Sequence, residues 1–496
     1  MGLPIGAGRP LAALLAVVVT SALATPNAAT AEDEYYELMK VFVDTFEQID
    51  RNYVKDVDKR ELVDAAVRGM LVELDPYSNY ISPDELSNFT EDIEQEFGGI
   101  GVNVNYDPRT KSLIVMAPLP GSPAFRVGLR TGDRIVEVNG EKLADFPPGR
   151  EQVEALKRLR GPAGEPVEVG VFRVIKVEGD AGNVGEVGEA NESAGAPEPS
   201  DESDDAESTA DSDDEPPAEV ADGDEDLLRF QIVRDNIQLP TVFGYLRGRE
   251  GDDDWRYILP TEGGGPRIAY IRIASFTRRT PEELRTALRK IEERSGEAIV
   301  IDLRDNPGGL LTAAVEIVDL FLGDGEIVRT EGRNSEPRSW AAKPQSTDVG
   351  LPLAILINRF SASASEITSA ALQDHGRAVV IGSRSFGKGS VQNVIDLEGG
   401  EAALKLTTAS YYRPSGKNIH RFPKAKASDE WGVRPSDGYE VDMPPSAMAK
   451  VRAANREIYE MRDEAPERPT DVMLDRAIET LTKEIDDQKA AATPAA

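Results

Sequence analysis

The stretch Ile299-Val300-Ile301-Asp302-Leu303-Arg304-Asp305-Asn306-Pro307-Gly308-Gly309 passes from a β-branched apolar run, through charge, to an Asn-Pro-Gly-Gly turn. The apolar run predicts a buried strand, and Leu310 to Leu322 behind the turn predicts a helix. A turn at that place aims backbone N–H groups into a cleft, and paired glycines let a ligand oxygen approach closely. An ordinary turn has the same composition, so its neighbours must decide. Leu353 to Ile357 is a second apolar strand, Ser363 to Gln373 a helix, Ala378 to Ile381 a third strand, and Arg267 to Ile273 opens the series. Strands alternating with helices predict an α/β layer structure.

Outward from this block the texture changes on both sides. Beyond Pro445, residues to Arg462 and then Val472 to Ile485 read as helices, followed by an Ala-rich tail expected to fray. Between Phe97 and Val233 there are short β-like runs with glycine turns: Gly101 to Asn105, Leu113 to Ala117, Arg134 to Val138, Glu168 to Val174 and Arg229 to Val233. An acidic segment interrupts them. Residues 177–226 carry 20 Asp or Glu and no Lys or Arg, and such a composition predicts a disordered, solvated spacer. Upstream, Leu38, Phe42, Phe46 and Ile49 recur at helical spacing, as do Leu62, Ala65, Ala66, Met70 and Leu74, with Asp75-Pro76 ending the second helix.

At the start, Arg9 precedes an apolar run from Leu11 to Leu23, and Ala22/Ala24 and Ala29/Ala31 offer two A-x-A cleavage sites. This is the pattern of an export signal, with an uncleaved anchor as the alternative. The expected division is signal peptide 1–31, helical region 32–96, β domain 97–240 interrupted by 177–226, α/β core 241–445, and C-terminal helices and tail 446–496. The chain is thus α+β and multidomain, and exported: periplasmic or otherwise outside the cytoplasm, with membrane association left open.

Composition narrows the chemistry. The 496 residues carry a net charge of −33, which excludes nucleic-acid binding through a basic face. Cysteine is absent, and the histidines number two, His375 and His420. Disulfide scaffolds, thiolate nucleophiles and Cys-based zinc sites are therefore excluded, and a Ser-His-Asp enzyme has almost no material. No metal or other cofactor is implied.

Two further segments can carry chemistry. Ser361-Ala362-Ser363-Ala364-Ser365-Glu366 places a serine with little steric cover at a helix start, where N–H groups and the helix dipole favour an anion. Close helix packing uses the same small residues. In Ser385-Phe386-Gly387-Lys388-Gly389-Ser390-Val391-Gln392, Gly382 to Lys388 satisfies G-x-x-x-x-G-K, and Ile299 to Asp302 mimics a Walker B strand. The nucleotide reading fails at Gly389, which replaces the Ser or Thr needed for magnesium, and Val391 to Tyr412 reads as strand, turn and strand instead of a phosphate-capping helix.

Together these segments resemble the carboxyl-terminal processing peptidases, or tail-specific proteases. The resemblance also takes in Leu74 to Ser78, Phe97 to Val102, Gly121 to Ala124, Gly132 to Ile135 and Tyr411 to Gly416, in the family's order over most of residues 35 to 445. It implies a PDZ domain, a crotonase-like peptidase core, and a serine endopeptidase using Ser363 as nucleophile, Lys388 as base and Gln392 as its assistant. The oxyanion hole would come from the N–H groups of Gly309 and Ala364. Gly98, Gly99, Ile100 and Gly101 would hold a peptide carboxylate. The implied partners are protein or peptide substrates with accessible C-termini, with room for an activating adaptor and a homodimer. A PDZ-bearing scaffold with an inactive core is the competing reading. The chain departs from the family pattern at Phe360, where glycine usually precedes the serine run, at Asp305, where asparagine is common, and in the acidic segment.

A serine base of this kind has a physical requirement. Lysine works only when neutral near pH 7 to 8, a drop of roughly three units from about 10.4, or about 4 kcal/mol. Burial among apolar residues can supply it, and an uncharged glutamine can orient the amine without restoring its proton affinity.

Overall fold

The chain divides into two units, residues 1–74 and 75–496. The computed structural model describes residues 31–83, 85–86, 96–173, 227–247, 255–260, 264–344, 350–459 and 468–492. The expected signal peptide and the acidic segment 177–226 lie outside the described residues, apart from Ala31.

In the first unit, α1 (Ala31–Asn52) is followed by α2 (Lys59–Val72). Asp58 caps α2, its carboxylate accepting the otherwise orphaned N–H groups of Arg60 and Glu61. Leu38 and Phe42, on the apolar stripe of α1, are 62% and 39% exposed. Two helices offer too little surface to bury a whole stripe.

The second unit opens with β1 (Asn79–Ile81), a strand inside the segment read as helical. Then come β2 (Glu96–Gly99), β3 (Val102–Asp107), β4 (Ser112–Pro118), α3 (Pro123–Arg126), β5 (Arg134–Val138) and β6 (Glu141–Lys142). The β domain closes with α4 (Glu151–Leu159), β7 (Pro166–Phe172), β8 (Leu228–Val233) and β9 (Asp235–Gln238). Its sheet runs β3-β4-β5-β7-β8, with β6 beside β5, while β2 pairs with β9. Alternate residues point inward: Leu113 and Val115 of β4 meet Val167, Val169 and Val171 of β7 in one core. β7 and β8 pair from Pro166↔Val233 to Val171↔Leu228, so the residues on either side of the acidic segment sit in one ladder.

The core begins with β10 (Val242–Phe243), β11 (Leu246–Arg247), β12 (Trp255–Arg256), β13 (Ile268–Ile273), α5 (Thr280–Glu293) and β14 (Ala298–Asp302). It continues through α6 (Leu311–Asp319), β15 (Glu326–Glu331), β16 (Arg338–Ala341), β17 (Leu353–Ile357), α7 (Ala364–Asp374) and β18 (Val379–Gly382). The antiparallel pair β19 (Ser390–Leu397) and β20 (Ala402–Tyr412) follows, then α8 (Pro445–Tyr459) and α9 (Val472–Ala492). The helix α9 runs on into the Ala-rich tail expected to fray, as alanine's helix propensity allows.

Strands β13, β14, β17 and β18 are parallel neighbours in that order. Ile299 and Ile301 share a cluster with Leu284 of α5, Ile317 of α6 and Ile367 of α7. Ala298 and Val300 instead share one with Leu474 and Leu481 of α9. Helices cover both faces, which is why these strands read as nearly continuous apolar runs, broken in β13 by Arg272, instead of alternating. A second sheet runs β1-β20-β15-β16, with β19 also on β20.

Candidate active site

Three adjacent parallel strands, β14, β17 and β18, each deliver one of the chemistry-bearing loops from their carboxyl ends. Open parallel sheets place their ligand sites there. In the first loop the Asn306 side chain is fully buried, donating to the Ile273 carbonyl at 2.7 Å and accepting the Gly308 N–H at 2.8 Å. Its main-chain carbonyl accepts the Ala362 N–H and the Ser365 hydroxyl, both at 3.0 Å, and so ties the first loop to the second. Contact is close enough to require glycine: a Cβ on Gly308, at φ 100, would lie 2.6 Å from the Ala362 carbonyl oxygen and 2.8 Å from Ser363 Cβ. The bridge between Phe276 and Gly309 uses the Gly308 carbonyl and the Leu310 N–H, so it does not consume the Gly309 N–H. Ala364 is the first residue of α7, where an N–H has no intrahelical partner.

Ser363 caps that helix at φ 53 and ψ −113. A non-glycine residue in such a region stores about 1–3 kcal/mol of strain, which the surroundings must hold. Glu366 supplies much of the hold. Its buried carboxylate accepts the Ser363 and Lys388 N–H groups at 2.8 Å, the Gly387 N–H at 2.6 Å and the Ser385 hydroxyl at 2.5 Å. One side chain thereby joins the serine loop to the lysine loop. Burial pushes its pKa up to about 7, against those four donors, which favour the anion. Sequence reasoning gave Glu366 no role. The signal on offer was Ser363-x-x-Glu366, which also reads as a plain capping box.

Lys388 is half-buried and lines a cavity of about 590 Å³ together with Tyr77, Pro307, Phe360, Ala362 and Phe386. Burial lowers its pKa, the positive charge of Lys405 on β20 lowers it further, and Glu366 opposes both. Its Nζ lies 5.3 Å from the centre of the Tyr77 ring. Ser363 and Lys388 share no side-chain hydrogen bond in this structure. Burial pushes the pKa of the Tyr411 phenol up to about 12, against the pull of the Ser363 hydroxyl. Gln392 is not bonded to Lys388 either. Its amide donates to Ser390 Oγ at 2.8 Å and Thr407 Oγ1 at 3.3 Å. Tyr77, Lys405 and Tyr411 were given no role in the sequence: Tyr77 and Tyr411 stand in stretches that carry the resemblance, and nothing local marks Lys405.

Neither histidine touches Ser363. His375 ends α7 with Nε2 2.7 Å from the Glu326 carbonyl oxygen, and His420 stands edge-on to Tyr77 with ring centres 6.4 Å apart. Beneath the first loop, Arg304, 3% exposed, is paired with Asp302 and with Asp471 just before α9, each at 2.7 Å. Among the described residues no group of three or more acidic or imidazole side chains is placed to hold a metal ion.

In the β domain, Gly98 and Gly99 pair with Asn236 and Asp235 in the β2–β9 ladder, while the Ile100 side chain is buried in the domain core. Gly101 has φ 73, and a Cβ there would sit 2.3 Å from Ser122 Cβ. The four residues lead directly into β3, which stands at one end of its sheet.

Residues 267–425 match peptidase family S41, residues 114–173 a PDZ domain, and residues 14–85 the N-terminal domain of the activating protease CtpB. A carboxy-terminal-processing protease of Bartonella bacilliformis is 33% identical over 408 residues, 81% of this chain and 76% of that protein. Two relatives are 28% identical. The carboxy-terminal processing protease CtpB of Bacillus subtilis aligns over 80% of this chain and 69% of its own length. A carboxyl-terminal-processing protease of Synechocystis aligns over 87% and 79%.

Proposed function

Because the chain belongs to the carboxy-terminal-processing proteases, serine peptidases of family S41 with a PDZ domain, we propose that it is an exported endopeptidase working through Ser363 and Lys388. The observation that carries this reading is the Glu366 carboxylate, which binds the main chain of both residues and so fixes the distance between their loops.

In the proposed reaction the Ser363 hydroxyl donates a hydrogen bond to the neutral Lys388 amine. As Oγ bonds to the substrate carbonyl carbon, Nζ takes the hydroxyl proton. The N–H groups of Gly309 and Ala364 receive the oxyanion, the mechanism's main electrostatic contribution. Collapse breaks the C–N bond, and the ammonium returns its proton to the leaving amine. Lys388 then deprotonates the water that attacks the acyl carbon, and as the acyl–Oγ bond breaks the ammonium returns that proton to Ser363 Oγ. Gln392 is assigned to orienting Lys388, which requires it to leave Ser390 or Thr407. The PDZ domain is assigned to the substrate's C-terminal tail through residues 98–101 and the edge of β3. Export rests on the leader pattern of residues 1–31; no described helix is long and apolar enough to cross a membrane.

Ser363→Ala and Lys388→Ala are each expected to abolish cleavage of an unfolded protein while leaving circular dichroism unchanged, and Gln392→Ala to reduce it severely. Cleavage by purified, folded Ser363→Ala at the parent rate would overturn the assignment.

A further inference from the structure

Asp305 and Phe360, the two positions beside the nucleophile at which this chain departs from the family pattern, line the same cavity, and Arg452 of α8 touches both. The Arg452 guanidinium donates to both Asp305 carboxylate oxygens at 2.9 Å and lies 5.1 Å from the centre of the Phe360 ring. Asn358, 5% exposed, holds the two loop residues in register. Its Oδ1 accepts the N–H groups of Asp305 and Phe360 at 3.0 Å, and its Nδ2 donates to Asp305 at 2.9 Å. Asp305 sits at φ 60, a left-handed conformation that Asp and Asn tolerate better than most residues.

The make-up of this wall decides what it can hold. Phe360 and Phe386 are 42% and 44% exposed and, with Ala362 and Pro307, offer apolar surface to the cavity. Asp305 and Arg452 would each attract an ion, but a bidentate pair satisfies both. An ionised substrate side chain entering here would lose water and find its partner already taken.

We propose that Phe360, Asp305 and Arg452 form the specificity-determining wall of the peptidase cleft. It takes an apolar side chain of a peptide residue flanking the scissile bond, while Asp305 and Arg452 mask each other's charge. The inference rests on the reading of Ser363 as nucleophile. It also makes α8, whose Arg452 lies 147 residues beyond Asp305, part of the cleft.

The test uses the full chain and unfolded peptides that differ in one residue flanking the cleavage site: Leu, Glu or Lys, on either side in turn. Asp305→Asn exposes Arg452 while retaining an acceptor for Asn358, so kcat/KM for the Glu peptide relative to Leu should rise about tenfold. Arg452→Gln exposes Asp305, and the Lys-to-Leu ratio should rise instead. The double variant should return both ratios to the parent's. Ratios unmoved in both single variants would overturn the wall, and each variant serves if the other fails to fold. Ser363→Ala is run alongside: if it is inactive while the ratios stay fixed, only the wall fails; if it remains active, the nucleophile assignment fails and the wall with it.

Discussion

At Lys388 three influences meet: burial and the charge of Lys405 disfavour the ammonium, and Glu366 favours it. A base that must be neutral gains from the first two. Lys405→Met removes a like charge, so the Lys388 pKa rises and less neutral amine is present at pH 7. The acidic limb of kcat/KM against pH should therefore move to higher pH, with rates converging on the parent's at the alkaline end. A limb that stays in place or moves to lower pH would remove Lys405 from the site. Sequence reasoning could name Ser363, Lys388 and Gln392 because they stand in short motifs. It gave no role to Lys405 or Tyr411, whose effects depend on the strand register that lays β20 beside the loops.

At the scale of elements, two junctions can be tested. Asp471 accepts the Leu474 N–H at the start of α9 and pairs with Arg304 under the first active-site loop. Removing it costs a helix cap and one partner of a buried cation that retains Asp302. Asp471→Ala should therefore lower stability by about 3 kcal/mol, measured by urea unfolding of the core. The other junction is the ladder between β7 and β8. Because those strands already pair, deleting residues 181–224 shortens a connection whose closure entropy changes only slowly with length, and it removes like charge. The melting temperature should stay nearly the same. A large fall would show that the acidic segment contributes to packing.

For the whole molecule, the proposed division of labour is recognition in the β domain and chemistry in the core. Glycine N–H groups can form a nest around a carboxylate, and a strand edge can pair with an extended peptide. A carboxylate held by such donors must be charged and terminal. One unfolded substrate is compared with a free apolar C-terminus, with that terminus amidated, and with a terminal Asp-Asp. The free apolar form should have the highest kcat/KM, and equal values for all three would exclude tail recognition even with Ser363 catalytic.

What the sequence determined by itself was local. Apolar runs marked β13, β14, β17 and β18 because burial on both faces leaves a continuous apolar signature, and the small-residue and glycine turns after β14, β17 and β18 marked the chemistry-bearing loops. The helical stripe of α1 was equally legible, but burial of that stripe does not follow from periodicity. Only the tertiary structure decided which residues stand around the site from a distance: Glu366 between two loops, Tyr411 within reach of Ser363, and Arg452 closing on Asp305. Periodicity and turn chemistry act over a few residues, whereas hydrogen bonds and charge act through space, between residues that only the packing of sheets and helices makes neighbours.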